Sequence, residues 1–350
     1  MSHIALKQSY RSLTDRLNLF PQGAPPTELL FKILQVLFTE EEAALVALLP
    51  IRPFTAAAAA RNWKRPEGKA LATLEHLASR GMLLDVELGE ERFFVLPPPM
   101  AGFFEFSMMR VGNGYDQKLL AELFYQYLNV EEDFVKNLFC SGETRVGRVF
   151  VDENAVGAGT ALEVMDYERA TEVVRTASHI GLGTCYCRHK MEHVHKACGA
   201  PMDICLTFNS TACSLIKHGI ARQVDVREGL DLLQQSLGRN LVQFGENVRE
   251  KVAFICHCCG CCCEALLAAK RFAVLSPIAT TNFLPEVDPG NCNGCGKCVE
   301  ACPVEAMGLV SAGDPRQPKH KKAKLQQDLC LGCGVCVRTC ARNVLSLRSR

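Results

Sequence analysis

Eight cysteines near the carboxyl end fall at one repeated spacing. Cys292-x2-Cys295-x2-Cys298-x3-Cys302 recurs as Cys330, Cys333, Cys336 and Cys340, every position shifted by 38 residues. Thiolates are soft ligands that select zinc, copper(I) or iron–sulfur clusters. Three thiolates on a tight loop can grip three irons of one cubane. The fourth, which starts the following helix, points away toward a second cubane. Gly294, Gly296, Gly332 and Gly334 suit a loop that wraps closely and offers backbone N–H groups to sulfur. Zinc sites do not use this doubled four-cysteine run, so the spacing points to iron–sulfur chemistry.

The first run, closed by Pro303, resembles that of two-cluster bacterial ferredoxins over about residues 286–350. The resemblance implies two 4Fe-4S clusters with crossed ligation. Cys292, Cys295 and Cys298 would share one cluster with Cys340, and Cys330, Cys333 and Cys336 the other with Cys302. Ala341 departs from the pattern, standing where the second repeat would carry proline. The linker Asp314–Lys324 is also long and holds Arg316, Lys319, Lys321, Lys322 and Lys324. It reads either as a solvated loop or as a docking patch for an acidic redox partner.

Eleven further cysteines lie between Cys185 and Cys263. Cys185, Cys187, Cys198 and Cys205 supply four thiolates in 21 residues, a set that suits a third 4Fe-4S cluster or tetrahedral zinc, with no metal as the remaining reading. His189, His193 and His195 are near enough in sequence to ligate, although each reads individually as a surface or supporting residue. Cys256, Cys258, Cys259, Cys261, Cys262 and Cys263 put six thiols in eight positions. Neighbouring cysteines point in different directions, so one segment could feed two clusters; a redox-active thiol set is the alternative. Such CCG segments resemble those of heterodisulfide-reductase-type subunits, which bind unusual clusters. Cys213 and Cys140 read as structural thiols. The order of the CxCR segment, the CCxCCC segment and the C-terminal dicluster run resembles that of multi-cluster ferredoxin-like proteins of anaerobic bacteria, over about residues 145–350.

Twenty cysteines in 350 residues could instead mark a secreted disulfide scaffold. The N-terminus argues otherwise, since Met1–Asn18 mixes Lys7, Arg11, Asp15 and Arg16 with scattered apolar residues and shows no signal-peptide core. No uncharged apolar stretch reaches 18 residues, so no membrane span is expected. The expected location is a reducing cytoplasm, and so many clusters suggest an anaerobic host. The formal net charge of +1 gives no global pull toward nucleic acid or anionic lipid.

The elements that must position these thiols fall into an α+β multidomain chain. Residues 1–110 form a winged-helix-like N-terminal domain, 111–155 a connector, 156–285 a cysteine-rich mixed domain, and 286–350 the two-cluster ferredoxin fold. Within the first, Leu29, Leu30, Ile33, Leu34 and Leu37 recur at helical spacing. Thr39 and Glu42 form a capping box for a run ending at Leu49, before Pro50. Thr55 opens an alanine run, and Pro66 opens a helix carrying Leu71, Leu74 and Leu77 and closed by Gly81. Met82–Leu88 and Phe93–Leu96 flank the Gly89-Glu90-Glu91 turn and read as a hairpin. Tyr115–Leu138 reads as helix and Val146–Val151 as strand. Helices are expected over Tyr167–Ile180 and from the box Asp225/Glu228 to Leu237.

Several motifs are absent. The sequence has no Walker A loop, G-x-S-x-G or H-E-x-x-H, and Val156-Gly157-Ala158-Gly159-Thr160 lacks the third glycine of a dinucleotide fingerprint. Residues 27–110 carry a net charge of −2, and Glu90 and Glu91 at the hairpin tip would repel phosphate, although Arg61, Lys64, Arg65, Lys69 and Arg80 cluster around one helix. DNA is a disfavoured partner and redox proteins are the expected ones; a small-molecule substrate is not identifiable. Three functions compete. The first is an electron carrier passing single electrons between a donor and a partner enzyme. The second is a redox- or iron-sensing regulator that uses the winged helix, and the third is a cluster-bearing reductase subunit.

Overall fold

The structure is a computed structural model that describes residues 8–20, 22–112, 114–156, 164–313, 315 and 319–350. The glycines of the 156–160 motif, residues 1–7 of the amino-terminal reading, and Asp314, Arg316, Gln317 and Pro318 of the basic linker lie outside the described residues. The chain divides into two compact units. One comprises Met1–Leu138, Gly181–Ala197 and Ser210–Gln223, and the other Phe139–Ile180, Cys198–Asn209 and Val224–Arg350. The boundaries expected at 110, 155 and 285 do not coincide with this division, because the cysteine-rich stretch contributes segments to both units.

The first unit opens with five helices, Gln8–Leu17, Glu28–Leu37, Glu40–Ala47, Ala56–Trp63 and Glu67–Ser79. The first was not anticipated from the sequence. It places Tyr10, Leu13 and Leu17 in the core at helical spacing, and the Tyr10 hydroxyl donates to the Phe38 carbonyl at 3.0 Å. Side-chain caps start the next three. Thr27 accepts from Leu30 N–H, Thr39 and Glu42 make the full reciprocal box, and Thr55 accepts from Ala58 N–H. The Trp63 indole donates to the Leu45 carbonyl at 2.8 Å. The hairpin pairs Leu84–Leu88 with Glu91–Val95, Leu84 opposite Val95 and Val86 opposite Phe93. Phe54 bridges to Phe94 at its side.

The stretch expected as one helix over Tyr115–Leu138 is broken. Gln117–Tyr125 is α-helical, a wider turn follows over Gln126–Val130, and a new helix runs Asp133–Cys140. Glu132 at φ 49° interrupts the ladder. The break lets Phe104, Phe124, Tyr127 and Phe134 meet with ring centroids between 4.9 and 6.5 Å apart.

A buried carboxylate organises the other segments of this unit. Asp85 on the hairpin accepts from Ser214 Oγ at 2.7 Å, His218 Nε2 at 2.9 Å, Lys217 Nζ at 2.9 Å and Arg92 Nη2 at 2.6 Å. Burial alone would raise its pKa, but these donors win and hold it well below the usual carboxylate range.

In the second unit, four antiparallel strands run in the order Gly147–Val149, Val242–Glu246, Phe254–Cys258, Asp203–Phe208. Phe244 stands opposite Val149 on one side and Cys256 on the other, and Val242 opposite Cys258. Helix Val226–Gly238, capped by Asp225 on Glu228 N–H at 2.8 Å, buries Gly229, Leu232, Leu233 and Leu237. The expected helix over Tyr167–Ile180 is shorter. A 3-10 turn over Asp166–Glu168 precedes helix Ala170–Thr176, and Ile180 already begins strand Ile180–Thr184.

The carboxyl-terminal module belongs to the same unit. Phe283–Val287 pairs with Leu345–Ser349, and Met307–Ser311 with Lys321–Leu325, both antiparallel. Two short helices, Lys297–Glu300 and Val335–Thr339, contain Cys298 and Cys336. The fourth cysteine of each run, Cys302 or Cys340, comes at the end of a helix and does not start one as expected, because the helix begins at the glycine before the third cysteine. Val151, Ala155, Val156, Phe283 and Leu347 form one core with Val164. The Arg338 guanidinium pairs with the buried Asp152 carboxylate and also donates to the Leu241 carbonyl at 3.3 Å. The module is thereby fixed beside strands Gly147–Val149 and Val242–Glu246, the second of which pairs with the cysteine-bearing strand Phe254–Cys258.

Candidate metal centres

The two cysteine loops are built alike. Each contains a glycine in left-handed backbone whose missing Cβ makes room for a neighbour. A Cβ on Gly294 (φ +67°) would lie 2.2 Å from the Lys321 carbonyl oxygen, and one on Gly332 (φ +71°) 2.0 Å from Thr281 Oγ1. Because the chain passes this closely, backbone donors reach the sulfurs. Ala323 N–H donates to Cys292 Sγ at 3.4 Å, Ala306 N–H to Cys302 Sγ at 3.2 Å and Gly332 N–H to Cys330 Sγ at 3.4 Å. Hydrogen bonds of this kind stabilise negative charge on sulfur and tune the potential of a bound cluster.

Nearness among these thiols does not follow sequence order. Burial, then Cys292, Cys295 and Cys340 nearby, raise the Cys298 pKa. Burial, then Cys330 and Cys302, push Cys333 up to about 12. Cys336 is raised by burial and then by Cys333, Cys330 and Cys302, and Cys330 by burial and by Cys302. Cys340 is thus a neighbour of Cys298 in the first loop and Cys302 of Cys330, Cys333 and Cys336 in the second, while Cys298 also neighbours Cys336. Cys302, Cys330, Cys333 and Cys336 line one cavity, walled by Leu325, Leu331 and Val335. Cys292, Cys298 and Cys336 share a core with Met307, Ala323 and Leu345, and Cys302 and Cys340 pack against it. As bare thiolates these buried sulfurs would repel one another. A cationic iron core that displaces their protons resolves the conflict, so the residues fit a pair of clusters.

A second gathering of thiols lies in the same unit. Cys198, Cys259, Cys261 and Cys262 place their sulfurs all within 4.8 Å of one another. Cys198 is 3.6 Å from Cys259 and 3.9 Å from Cys262, and Cys261 is 3.7 Å from Cys262. Strand Phe254–Cys258 delivers the loop, and Cys263 caps helix Glu264–Arg271 beyond it. Burial and then Cys259 push the Cys261 thiol up to about 12, and a hydrogen bond with Cys259 and then burial raise Cys262. Gly260 sits against Pro303, where a Cβ would meet the carbonyl oxygen at 2.2 Å. The thiol loop therefore abuts the residue after Cys302.

The other expected thiols are distributed as follows. Cys185 is the buried residue before helix Tyr186–His193 and Cys187 lies in its first turn, both in the first unit. Cys205 is buried on strand Asp203–Phe208, next to the strand bearing Cys256 and Cys258. Cys213 is exposed on helix Asn209–Lys217 and Cys140 ends helix Asp133–Cys140. His189 is buried with Nδ1 2.7 Å from the Met108 carbonyl, and His193 stacks beside it with the two Nε2 atoms 3.2 Å apart. Burial and then His189 lower the His193 pKa. His195 follows that helix at φ 57°. The grouping of Cys198 with the later loop was not anticipated from the sequence. It lies 61 positions before Cys259, and only the fold brings the two segments together.

Comparison with known proteins agrees with the carboxyl-terminal geometry. Residues 286–344 match the 4Fe-4S dicluster domain. The chain carries 4Fe-4S clusters. A stretch of 27 residues is 67% identical to one subunit of the Na(+)-translocating ferredoxin:NAD(+) oxidoreductase complex of Acetobacterium woodii, covering 8% of each protein. The chain thus spans under a tenth of the length of that relative. No solved structure matches the chain. Among the described residues, no helix is long and apolar enough to cross a membrane.

Proposed function

We propose that this protein is an electron carrier that passes single electrons between a redox donor and a partner enzyme. The observation that carries the reading is the shared core of the two thiol sets, in which Cys298 of one contributes to the surroundings of Cys336 of the other. Cys292, Cys295, Cys298 and Cys340 would hold one cluster, and Cys302, Cys330, Cys333 and Cys336 the other. When bound, 4Fe-4S clusters accept and release one electron at a time. The chain's part is to fix the two sets side by side, to donate N–H groups to Cys292, Cys302 and Cys330, and to exclude water with Met307, Leu325 and Leu331. Cys295 is exposed, which supports electron exchange at that edge. Lys321 and Lys324 are exposed on the adjoining strand and Lys319 precedes it, which supports docking of an acidic partner.

In the middle segment we propose at least one more metal centre. Cys198, Cys259, Cys261 and Cys262 are its best-supported ligands. Cys205, Cys256 and Cys258, on adjacent strands, are proposed for any further cluster.

The amino-terminal helices and hairpin are proposed as a winged-helix-like module that binds protein and not DNA. Some of its basic residues are engaged, while Arg61, Lys64 and Lys69 are exposed. Arg65 pairs with Glu41 at 2.7 Å, Arg80 with Glu42 at 2.6 Å, and Arg92 with Glu75 and Asp85 at 2.6 Å each. Exposed Glu90 and Glu91 at the hairpin add like charge against phosphate.

The test is stopped-flow mixing of dithionite-reduced, anaerobically purified chain with a one-electron acceptor protein. The reading expects rapid reoxidation in single-electron steps, slowed by salt. Clusters that stay reduced in the presence of acceptor, or that discharge only onto a small-molecule substrate, would replace the carrier with the reductase reading.

A further inference from the structure

The sulfurs of Cys198, Cys259, Cys261 and Cys262 stand closer together than a cubane permits. In a 4Fe-4S cluster each thiolate binds a different corner iron and projects outward. Any two thiolate sulfurs are therefore separated by an iron–iron edge plus the spread of two diverging bonds. A 2Fe-2S cluster puts two thiolates on each iron and so holds two pairs at opposite ends. Neither arrangement brings all four sulfurs within 4.8 Å of one another, as they are here. A single tetrahedral ion does. With metal–sulfur bonds of about 2.3 Å, the edges of the sulfur tetrahedron are about 3.8 Å. Three of the separations here are 3.6, 3.7 and 3.9 Å.

The chain supplies its own comparison. Among the described residues the eight carboxyl-terminal thiols form no group this tight, although they are the set with cluster spacing. Nor is the tight group a pair of disulfides, since bonded sulfurs lie about 2.05 Å apart.

We infer that Cys198, Cys259, Cys261 and Cys262 hold one thiophilic divalent ion in tetrahedral coordination, zinc being the occupant expected, and not a third cubane. Zinc has no redox chemistry and no geometric preference of its own, and four-thiolate zinc sites are closed structural sites. Loading would exchange the thiol protons for one dication. The ion would tie the Cys198 loop to the Cys259–Cys262 loop, Cys198 and Cys259 being 61 positions apart in the chain. It would also hold Gly260 in place against Pro303, beside Cys302. The ion would thus stiffen the support of a cluster ligand without carrying electrons. This inference is independent of the carrier reading, because it rests on a different set of thiols.

The experiment uses the full chain purified anaerobically, without added zinc. X-ray absorption at the zinc edge should show about four sulfurs at about 2.3 Å and no neighbouring metal. Metal analysis of Cys261→Ser, a change at an exposed position, should show loss of about one zinc per chain with iron and the visible cluster absorption unchanged. Loss of about one iron in place of zinc would support the single-ion site with iron as its occupant. The inference is overturned if Cys261→Ser sheds about four irons, or if the unaltered chain holds no ion bound by sulfur alone outside its clusters. The absorption measurement needs no variant, so a misfolded mutant does not remove the test.

Discussion

Replacing Gly294 by alanine should disable one cluster and leave the other. The new Cβ would lie 2.2 Å from the Lys321 carbonyl oxygen, more than 1 Å inside ordinary contact. The neighbour is backbone on strand Lys321–Leu325, so it cannot swing aside as a side chain would. Two costs combine. Left-handed backbone at φ +67° costs a non-glycine residue about 1–2 kcal/mol, and overpacking a tight site adds about 1–3 kcal/mol. A loss of about 2–5 kcal/mol is therefore expected at the first loop. The strand that must yield also carries Ala323, whose N–H donates to Cys292 Sγ, so the strain falls on the proposed ligands Cys292, Cys295, Cys298 and Cys340. The assay is potentiometric titration followed by EPR on anaerobic protein. The cluster of this set should be lost or should shift to lower potential as its N–H···S bond lengthens, while the one held with Cys302 keeps its signal. Gly332→Ala should reverse the pattern, since its Cβ would strike Thr281 Oγ1 at 2.0 Å and the Phe283 carbonyl at 2.4 Å. If both signals survive Gly294→Ala unchanged, or if both fail together in each variant, the assignment of loops to clusters is wrong.

Other outcomes follow from the same geometry. Cys302→Ser should perturb the cluster of Cys330, Cys333 and Cys336, and Cys340→Ser that of Cys292, Cys295 and Cys298; perturbation of each cysteine's own loop instead would show uncrossed ligation by EPR. Asp85→Asn should cost about 3 kcal/mol in denaturant, read from Trp63 fluorescence. Removing one partner of a buried ion pair costs about 3–5 kcal/mol, and the lower end applies because Lys217 is 40% exposed. The folded-state pKa of Asp85 is depressed, so its contribution is present above the unfolded value of about 3.9 and is lost as pH falls below it. The variant should lack that acid limb, and identical acid slopes in both proteins would refute the network's role. Arg338→Ala leaves the Asp152 carboxylate buried without its cation and should loosen the ferredoxin module, seen as faster hydrogen exchange over Thr281–Val287; unchanged exchange would count against the pinning.

The cluster loops were legible because ligand spacing is local. Three cysteines and two glycines in seven residues specify the turn, and the duplicated run gives the count of clusters. Local caps were equally readable. The Thr39/Glu42 box and the Asp225 cap form as expected. What the sequence concealed depends on tertiary context. The Tyr167–Ile180 helix ends early because Ile180–Thr184, rich in glycine, is claimed by a strand that pairs with Arg222–Gln223. The run Tyr115–Leu138 has helical periodicity throughout, yet the Glu132 backbone breaks it to build an aromatic cluster. Nearness in sequence groups Cys198 with Cys185, Cys187 and Cys205 and gives no sign of its approach to Cys259 and Cys262. That approach depends on strand register, with Leu206 opposite Ile255.

Electron transfer by this chain requires the thiols of residues 292–340 to hold a pair of neighbouring 4Fe-4S clusters. EPR of the fully reduced, anaerobically purified chain tests this most directly. Two adjacent reduced cubanes should give a signal broadened by their mutual interaction and integrating to about two spins. Cys302→Ser together with Cys340→Ser should abolish that interaction. A reduced chain with no such signal, or one whose carboxyl-terminal thiols bind zinc alone, would contradict the account.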